Sequence, residues 1–103
     1  MDNPWAGEVS LVIDGVPRRM RLTLGALAGL EAALGAPSLA TLLERIEGGE
    51  MSAADVIAIL RAGLRGGGHE IGAEELAAAR IEGGPVAAVA AAGRLVALAF
   101  GGR

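Results

Sequence analysis

The stretch Arg21-Leu-Thr-Leu-Gly-Ala-Leu-Ala-Gly-Leu-Glu-Ala-Ala-Leu-Gly35 changes from strand periodicity to helix periodicity without a break. Its apolar residues first alternate with other residues, as in a strand, and then recur every three or four positions, as on one face of a helix. The alternating positions are Met20, Leu22 and Leu24, and the helical positions are Leu27, Leu30 and Leu34. Gly35 suits the left-handed residue that often follows a helix end. The stretch therefore predicts a sheet and a helix that share one core.

Residues 7–24 carry the pattern of a β-hairpin. Val9, Leu11 and Ile13 are spaced two apart and give one mainly apolar face. Asp14-Gly15 then favours the positive φ angles of a tight type I′ turn. The expected solvent-facing positions of the second strand are Arg19, Arg21 and Thr23. Because a lone hairpin is only marginally stable in water, we expect its apolar face to pack on helices or on a neighbouring subunit.

Residues 25–100 are predicted to form four or five short helices separated by glycines. The predicted helices run over about 25–34, from the N-cap Ser38 to Gly48, from Ser52 to Gly66, over about 73–81, and from Pro85 to about Phe100. The clearest start is Ser52-Ala-Ala-Asp55, which matches a capping box with Asp in place of the usual Glu. We therefore expect an α+β fold that is mostly α, in one compact domain over residues 1–103, with the hairpin at 7–24 and the helical part at 25–100.

The composition favours a thin aliphatic core. Alanine contributes much of the 52% apolar content, and Trp5 and Phe100 are the only aromatic residues of the 103. Alanine supports helices but offers little bulk for a core. Two interpretations stay open: the thin core is sufficient by itself, or some apolar surface serves a partner.

Charge and hydropathy exclude two kinds of partner. The formal net charge is −3, and the nine basic residues are all arginines scattered along the chain, so a nucleic-acid interface is not expected. The most apolar segment, 86–100, is shorter than the roughly 20 residues of a membrane span, and Arg94 interrupts it. The acidic, polar start Met1-Asp-Asn-Pro-Trp does not resemble a signal peptide, and there is no cysteine. These features are typical of a soluble cytoplasmic protein.

Candidate chemistry is sparse. His69, the only histidine, follows Gly66-Gly-Gly68 and has the side chain of a general base, but no serine or cysteine stands at a recognisable spacing from it. A turn or cap role explains His69 better. The triple glycine follows a predicted helix and precedes no Gly-Lys-Ser/Thr, so a helix end explains it better than a phosphate loop. We predict no enzymatic activity, no catalytic residue, no cofactor and no metal.

The last predicted helix is apolar almost all round, with Arg94 as its single charge. Such a helix is either wrapped by other helices or bound to something else, and small residues at Ala90 and Gly93 would allow another helix to approach closely. Residue types do not decide between these two interpretations. The candidate partner-binding residues are Leu27, Leu30, Leu34, Val89, Val96 and Phe100.

Three runs of this chain resemble one family of small phage-like proteins. The runs are Gly7-Glu-Val-Ser-Leu-Val-Ile-Asp-Gly15, the Arg21–Gly35 stretch, and Leu60-Arg-Ala-Gly-Leu-Arg-Gly-Gly-Gly-His69. They look like the small protein encoded beside the tail genes of gene transfer agents, which are phage-like particles of alphaproteobacteria, and like similar proteins of related prophages. The resemblance covers nearly the whole chain and weakens after about Gly84.

The resemblance implies a non-enzymatic role in building a siphophage-like tail. The family is described both as a tail tube protein and as a tail assembly chaperone. A chaperone of this type would coat the helical tape measure protein and recruit tail tube subunits. It would act in the cytoplasm of the producer cell and would self-associate. The alternative is a structural tail tube or minor tail subunit of the particle. Because tail tube subunits usually resemble β-sandwiches or barrels and this chain is mostly helical by pattern, the chaperone hypothesis is favoured.

Overall fold

The computed structural model of this protein describes residues 7–101, which form a β-hairpin followed by helices in one compact unit. The elements are β1 (Glu8–Ile13), β2 (Val16–Arg21), α1 (Leu24–Leu34), α2 (Leu39–Glu47), α3 (Ala53–Gly66), α4 (Ala73–Ala78) and α5 (Gly84–Gly101). The predicted fold class, α+β with a hairpin before mostly helical structure, is confirmed. Trp5 lies outside the described residues.

The hairpin forms as its sequence predicts. β1 and β2 pair antiparallel from Glu8 opposite Arg21 to Ile13 opposite Val16. Asp14 and Gly15 both have positive φ, at 52° and 80°, as a type I′ turn requires. The side chains of β1 alternate between buried and half-buried, and its buried face lies against α5.

The second strand ends earlier than predicted. β2 stops at Arg21, and Thr23 is the N-cap of α1, with its hydroxyl accepting a hydrogen bond from the Ala26 N–H at 3.0 Å. This cap starts the helix at Leu24, the last residue of the alternating pattern. The predictions that Leu24 continues the strand and that Thr23 lies on its solvent face were therefore wrong: Leu24 opens α1 and is 78% exposed. At the other end, Gly35 has the expected left-handed conformation.

Helix α3 lies at the centre and touches the hairpin, α1, α4 and α5. Its start is the predicted capping box, because the Ser52 hydroxyl accepts from the Asp55 N–H while the Asp55 carboxylate accepts from the Ser52 N–H, both at 3.1 Å. Its end lies directly against β2: a Cβ at Gly66 or Gly67 would overlap a backbone carbonyl of that strand. Glycine at this junction therefore allows a close helix–strand approach.

Helix α4 is shorter than the predicted 73–81. Its last residue is Ala78, and the chain then pairs with the hairpin turn. The Arg80 N–H donates to the Asp14 carboxylate and the Asp14 N–H donates to the Arg80 carbonyl, both at 2.8 Å, beside an antiparallel bridge between Ile13 and Ile81. Pairing with the turn replaces the helical hydrogen bonds of these residues, so the helical prediction for 79–81 was wrong.

The core is aliphatic and continuous from the hairpin to α5. Its fully buried side chains come from β1, β2 and every helix except α4, and they are Val9, Met20, Leu30, Leu42, Ile59, Leu60, Leu64, Leu95 and Val96. Among the described residues no polar or charged side chain is buried. No helix in residues 7–101 is by itself long and apolar enough to cross a membrane. Helices α1 and α2 together, which are bent by 73° relative to each other, would be long and apolar enough by length and composition only.

Candidate interaction surfaces

Helix α5 buries one face and exposes the other, although both faces are apolar. Its inner face lies on α3 and β1 and consists of Ala88, Ala91, Ala92, Leu95 and Val96. Its outer face is centred on Val86, Ala90, Gly93 and Ala97, with Val89 at one edge and the exposed Arg94, the only charged residue of the helix, at the other. Val86 is 80% exposed and Val89 47%. The core interpretation of the last helix therefore holds for the inner face, and the interface interpretation stays a prediction for the outer face.

Gly93 makes the outer face unusually smooth. A Cβ at this position would meet no atom within 4 Å, so nothing inside the described structure requires a glycine there. A mid-helix glycine destabilises a helix by roughly 0.5–1 kcal/mol relative to alanine. The fold gains nothing from Gly93 in return for this cost, whereas an approaching helix would gain a closer contact.

An apolar pocket opens beside the outer face. It measures about 270 Å³ and lies between α3, the α4 region and the start of α5, where Val89 contributes to its wall. The large side chains that line it are Val56, Ile57, Leu60, Leu76, Ile81 and Val89. Small-molecule sites usually measure about 300–1,000 Å³ and carry a few converging polar groups. A smaller and almost wholly apolar pocket fits a large apolar side chain of a docked helix better.

A second, larger depression runs between α1 and α3 and measures about 570 Å³. We call it the α1–α3 groove. Its floor is made of small residues from both helices, which are Gly25, Ala26, Gly29, Ala33, Ala58 and Ala62. Arg61, Arg65, His69 and Glu70 stand along one side. Because the floor residues are small, the backbone of both helices lies close to the surface of the groove. Two arginines, a histidine and one glutamate form its rim.

His69 is held in place by its neighbours. Its backbone N–H donates to the Leu64 carbonyl at 2.8 Å, as part of the helix end. Its ring Nδ1 lies 3.3 Å from Nη1 of Arg18. Because a guanidinium only donates hydrogen bonds, Nδ1 accepts this one and its lone pair is occupied. The same arginine keeps its Nε buried without a hydrogen-bond partner. This geometry agrees with a structural role at the turn after α3.

The predicted partner-binding residues separate into three groups in the structure. Leu27, Leu30 and Val96 are buried in the core, with exposed fractions of 8%, 2% and 0%. Leu34 and Phe100 are half-buried and pack against the same core, whereas Val89 lies on the outer face of α5. The structure therefore does not bring the six residues together on one surface. In the described part of the chain, no cluster of three or more His, Asp or Glu side chains could hold a metal ion.

Sequence reasoning missed two features of these surfaces. The arginines of the α1–α3 groove were interpreted as scattered surface charge, and Val86 was not singled out. The available signal for the groove was a glycine inside a helix: Gly29 caps nothing and interrupts an otherwise favourable helical run. The signal for the outer face was Gly93, which the sequence did identify as a point of close approach.

A family model described as "Phage tail tube protein, GTA-gp10" matches residues 6–102. The chain belongs to this family. The resemblance to the tail proteins of gene transfer agents and prophages is thereby confirmed. The match extends past Gly84, after which the resemblance of the quoted runs weakens. No curated protein and no solved structure matches the chain. The phage tail tube family is a structural family of phage-like particles, and its members act together with other tail proteins.

Proposed function

We propose that this member of the phage tail tube family acts without enzymatic activity as a tail assembly chaperone that binds helical segments of the tape measure protein. The observation that carries the proposal is the outer face of α5, an exposed apolar helix surface that the fold itself does not use. Before the tail assembles, the apolar side of a long amphipathic helix of the tape measure protein is exposed to water and must be covered by another protein. Helix-in-groove binding supplies such a cover through anchors spaced three or four residues apart.

The pocket beside Val89 adds a place for one anchor side chain of the bound helix. Burial of apolar area contributes roughly 25 cal/mol per Å², so a smooth apolar face with one pocket supports reversible binding. Reversibility suits a chaperone, because the partner must be released when tail tube subunits assemble on it. Such a protein acts in the cytoplasm of the producer cell before the tail is complete.

The test is co-expression with the tape measure protein, followed by size-exclusion chromatography of the complex. We expect wild-type protein to co-elute with the tape measure protein, and Val89→Asp to stay folded but lose the complex, because a charge then lies in the apolar contact. Ala28→Asp is the matched control: it places the same charge on an exposed helical alanine of α1, outside both surfaces, and retains the complex. Equal binding by both variants would contradict the proposed site.

The second candidate is a structural subunit of the tail tube, which the description of the family itself favours. Against it stands the small amount of sheet, since the described residues contain two strands and tube subunits usually resemble sandwiches or barrels. Mass spectrometry of purified particles separates the two. A chaperone is scarce or missing in finished tails, whereas a tube subunit is abundant and present in the ratio of a stacked ring.

A further inference from the structure

The α1–α3 groove has the length and shape of a helix. Its floor runs from Gly25 to Ala33 on α1 and from Ala58 to Gly66 on α3, which is about 12 Å along each helix at 1.5 Å per residue. Gly29 lies on this floor, and a Cβ there would meet no atom within 4 Å. The fold therefore does not require Gly29, and the groove is open where a side chain could have filled it.

The rim of the groove is basic. Arg61 and Arg65 are four residues apart on α3 and so lie on the same side of that helix. Arg65 is 67% exposed and makes a 3.5 Å contact with Glu70, which is itself 81% exposed, so this pair is easily rearranged. Arg61 donates from Nε to the Ile71 carbonyl at 3.1 Å, which holds its guanidinium beside the groove.

Helix α2 presents the opposite charge. Glu44 and Glu47 are exposed and three residues apart, and Ala40 extends the same face with a small side chain. The nine residues of α2 span about 14 Å, which matches the length of the groove. The acidic face is available because α2 is tied to α1 from its other side, through Leu42 in the core and a 2.9 Å bond from Arg45 to the Leu34 carbonyl.

Helix α2 and the Arg65 end of the groove lie toward opposite ends of α1 within one molecule. Arg45 fixes α2 at Leu34, the carboxyl end of α1. The Arg65 end of the groove lies beside Thr23, at the amino end of α1, because a Cβ on the adjacent Gly66 would come within 3.6 Å of the Thr23 methyl carbon. The acidic face of α2 and the arginines of the groove are opposite in charge, so α2 of a second copy suits the groove.

We propose that the α1–α3 groove receives helix α2 of a second copy of this chain, with Glu44 and Glu47 of that copy against Arg61 and Arg65. The contact joins two different surfaces, so it is heterologous and repeats from copy to copy. Such a contact produces a ring when the rotation closes and an open filament when it does not. It leaves the outer face of α5 free and does not depend on the proposed binding of the tape measure protein.

The experiment is analytical ultracentrifugation of the purified full chain over a range of concentrations at low salt, with charge-reversed variants. We expect wild-type protein to associate as concentration rises and to dissociate in about 1 M salt, where charge interactions are screened within roughly 3 Å. We expect E44R/E47R and R61E/R65E each to weaken association by at least about tenfold. An equimolar mixture of the two variants should associate again, because the basic α2 of one fits the acidic groove of the other.

Two controls separate this contact from general charge effects and from misfolding. E74R/E75R makes the same change in net charge as E44R/E47R, on exposed residues of α4, and should associate like wild type. If R61E/R65E does not fold, Arg65→Glu alone takes its place in the experiment, because the Arg65 side chain is largely exposed. Gly29→Leu should block association by filling the groove, whereas Ala28→Leu on the neighbouring exposed position should not.

Three results would overturn the proposal: a wild-type chain that stays monomeric at every concentration, charge-reversed variants that associate like wild type, or a mixture of folded variants that stays monomeric. Failure here is distinguishable from failure of the proposed function. The groove variants keep the outer face of α5 intact, so their binding to the tape measure protein is measured independently by co-elution.

Discussion

Two pairs of helical glycines differ in what surrounds them. In α3, a Cβ at Gly63 would lie 2.7 Å from a methyl group of Leu95, and one at Gly66 would overlap the carbonyl of Arg21. In α1 and α5, a Cβ at Gly29 or Gly93 would meet no atom within 4 Å. The first pair is explained by close packing inside the molecule. The second pair has no explanation inside it, and both of its members lie on surfaces that suit another helix.

The first pair of glycines serves the packing of the chain itself, whereas the second pair lies on the two surfaces that we propose contact other helices. Around α3, glycine permits the hairpin and α5 to approach, which stabilises the core. On the α1–α3 groove and the outer face of α5, glycine weakens its own helix and leaves the backbone accessible. This contrast predicts opposite effects for the same kind of substitution in the two regions.

The largest expected effect is that of Val96→Asp. Val96 is fully buried on the inner face of α5, so the substitution places an unpaired carboxylate in an aliphatic core. We expect a loss of more than about 4 kcal/mol in the free energy of unfolding and no cooperative thermal transition by circular dichroism.

Val89→Asp is the matched variant, two turns earlier on the same helix, where the valine side chain is partly exposed. Val89 is 47% exposed, and its variant should stay within about 0.5 kcal/mol of wild type because the carboxylate remains hydrated. Equal loss of structure in both variants would remove the distinction between the inner and outer faces of α5.

The second effect in size is that of Gly66→Ala. The added methyl group would overlap the Arg21 carbonyl, and backbone on both sides must move to accept it. Overpacking of this kind costs about 1–3 kcal/mol or more, and we expect the upper part of that range. Urea unfolding followed by circular dichroism measures it. An unchanged midpoint would show that α3 and β2 are not packed as closely as the structure has them.

Local patterns predicted most of the elements in this chain. The Asp14-Gly15 turn and the Ser52–Asp55 capping box are each formed by residues that are neighbours in sequence, so the sequence alone predicts them. The end of α4 could not be predicted in this way, because it depends on hydrogen bonds between Arg80 and Asp14, 66 positions apart in sequence. Leu24 was assigned to the strand because the alternation continued, whereas the Thr23 cap ended it.

The surfaces were harder to predict than the fold for the same reason. Val96 and Val89 are seven residues apart and so lie on nearly the same side of α5, and periodicity alone could not predict that the first is buried and the second half exposed. The α1–α3 groove is formed by residues more than 25 positions apart, such as Gly29 and Arg61. Only tertiary structure brings these together, and no periodicity within one helix marks them.

A smaller effect with the opposite sign is expected for Gly29→Ala. A Cβ at this position enters open space, so the substitution removes the conformational cost of a mid-helix glycine without creating a clash. We expect the free energy of unfolding to rise by roughly 0.5–1 kcal/mol, measured by urea unfolding under the conditions used for Gly66→Ala. A loss of stability would show that Gly29 has a structural role within the chain and would end the contrast between the two pairs.

The smallest effect on stability is expected for Val86→Ser, which tests whether the outer face of α5 has any use inside the molecule. Val86 is 80% exposed, so its removal should change the free energy of unfolding by less than about 0.5 kcal/mol. Binding of the tape measure protein should nevertheless weaken, because an apolar contact is lost from the outer face. Leu24→Ser is the matched control, since Leu24 is 78% exposed on α1 and belongs to neither surface. If both variants reduce co-elution equally, exposed apolar area in general carries the binding; a loss confined to Val86→Ser assigns it to the outer face.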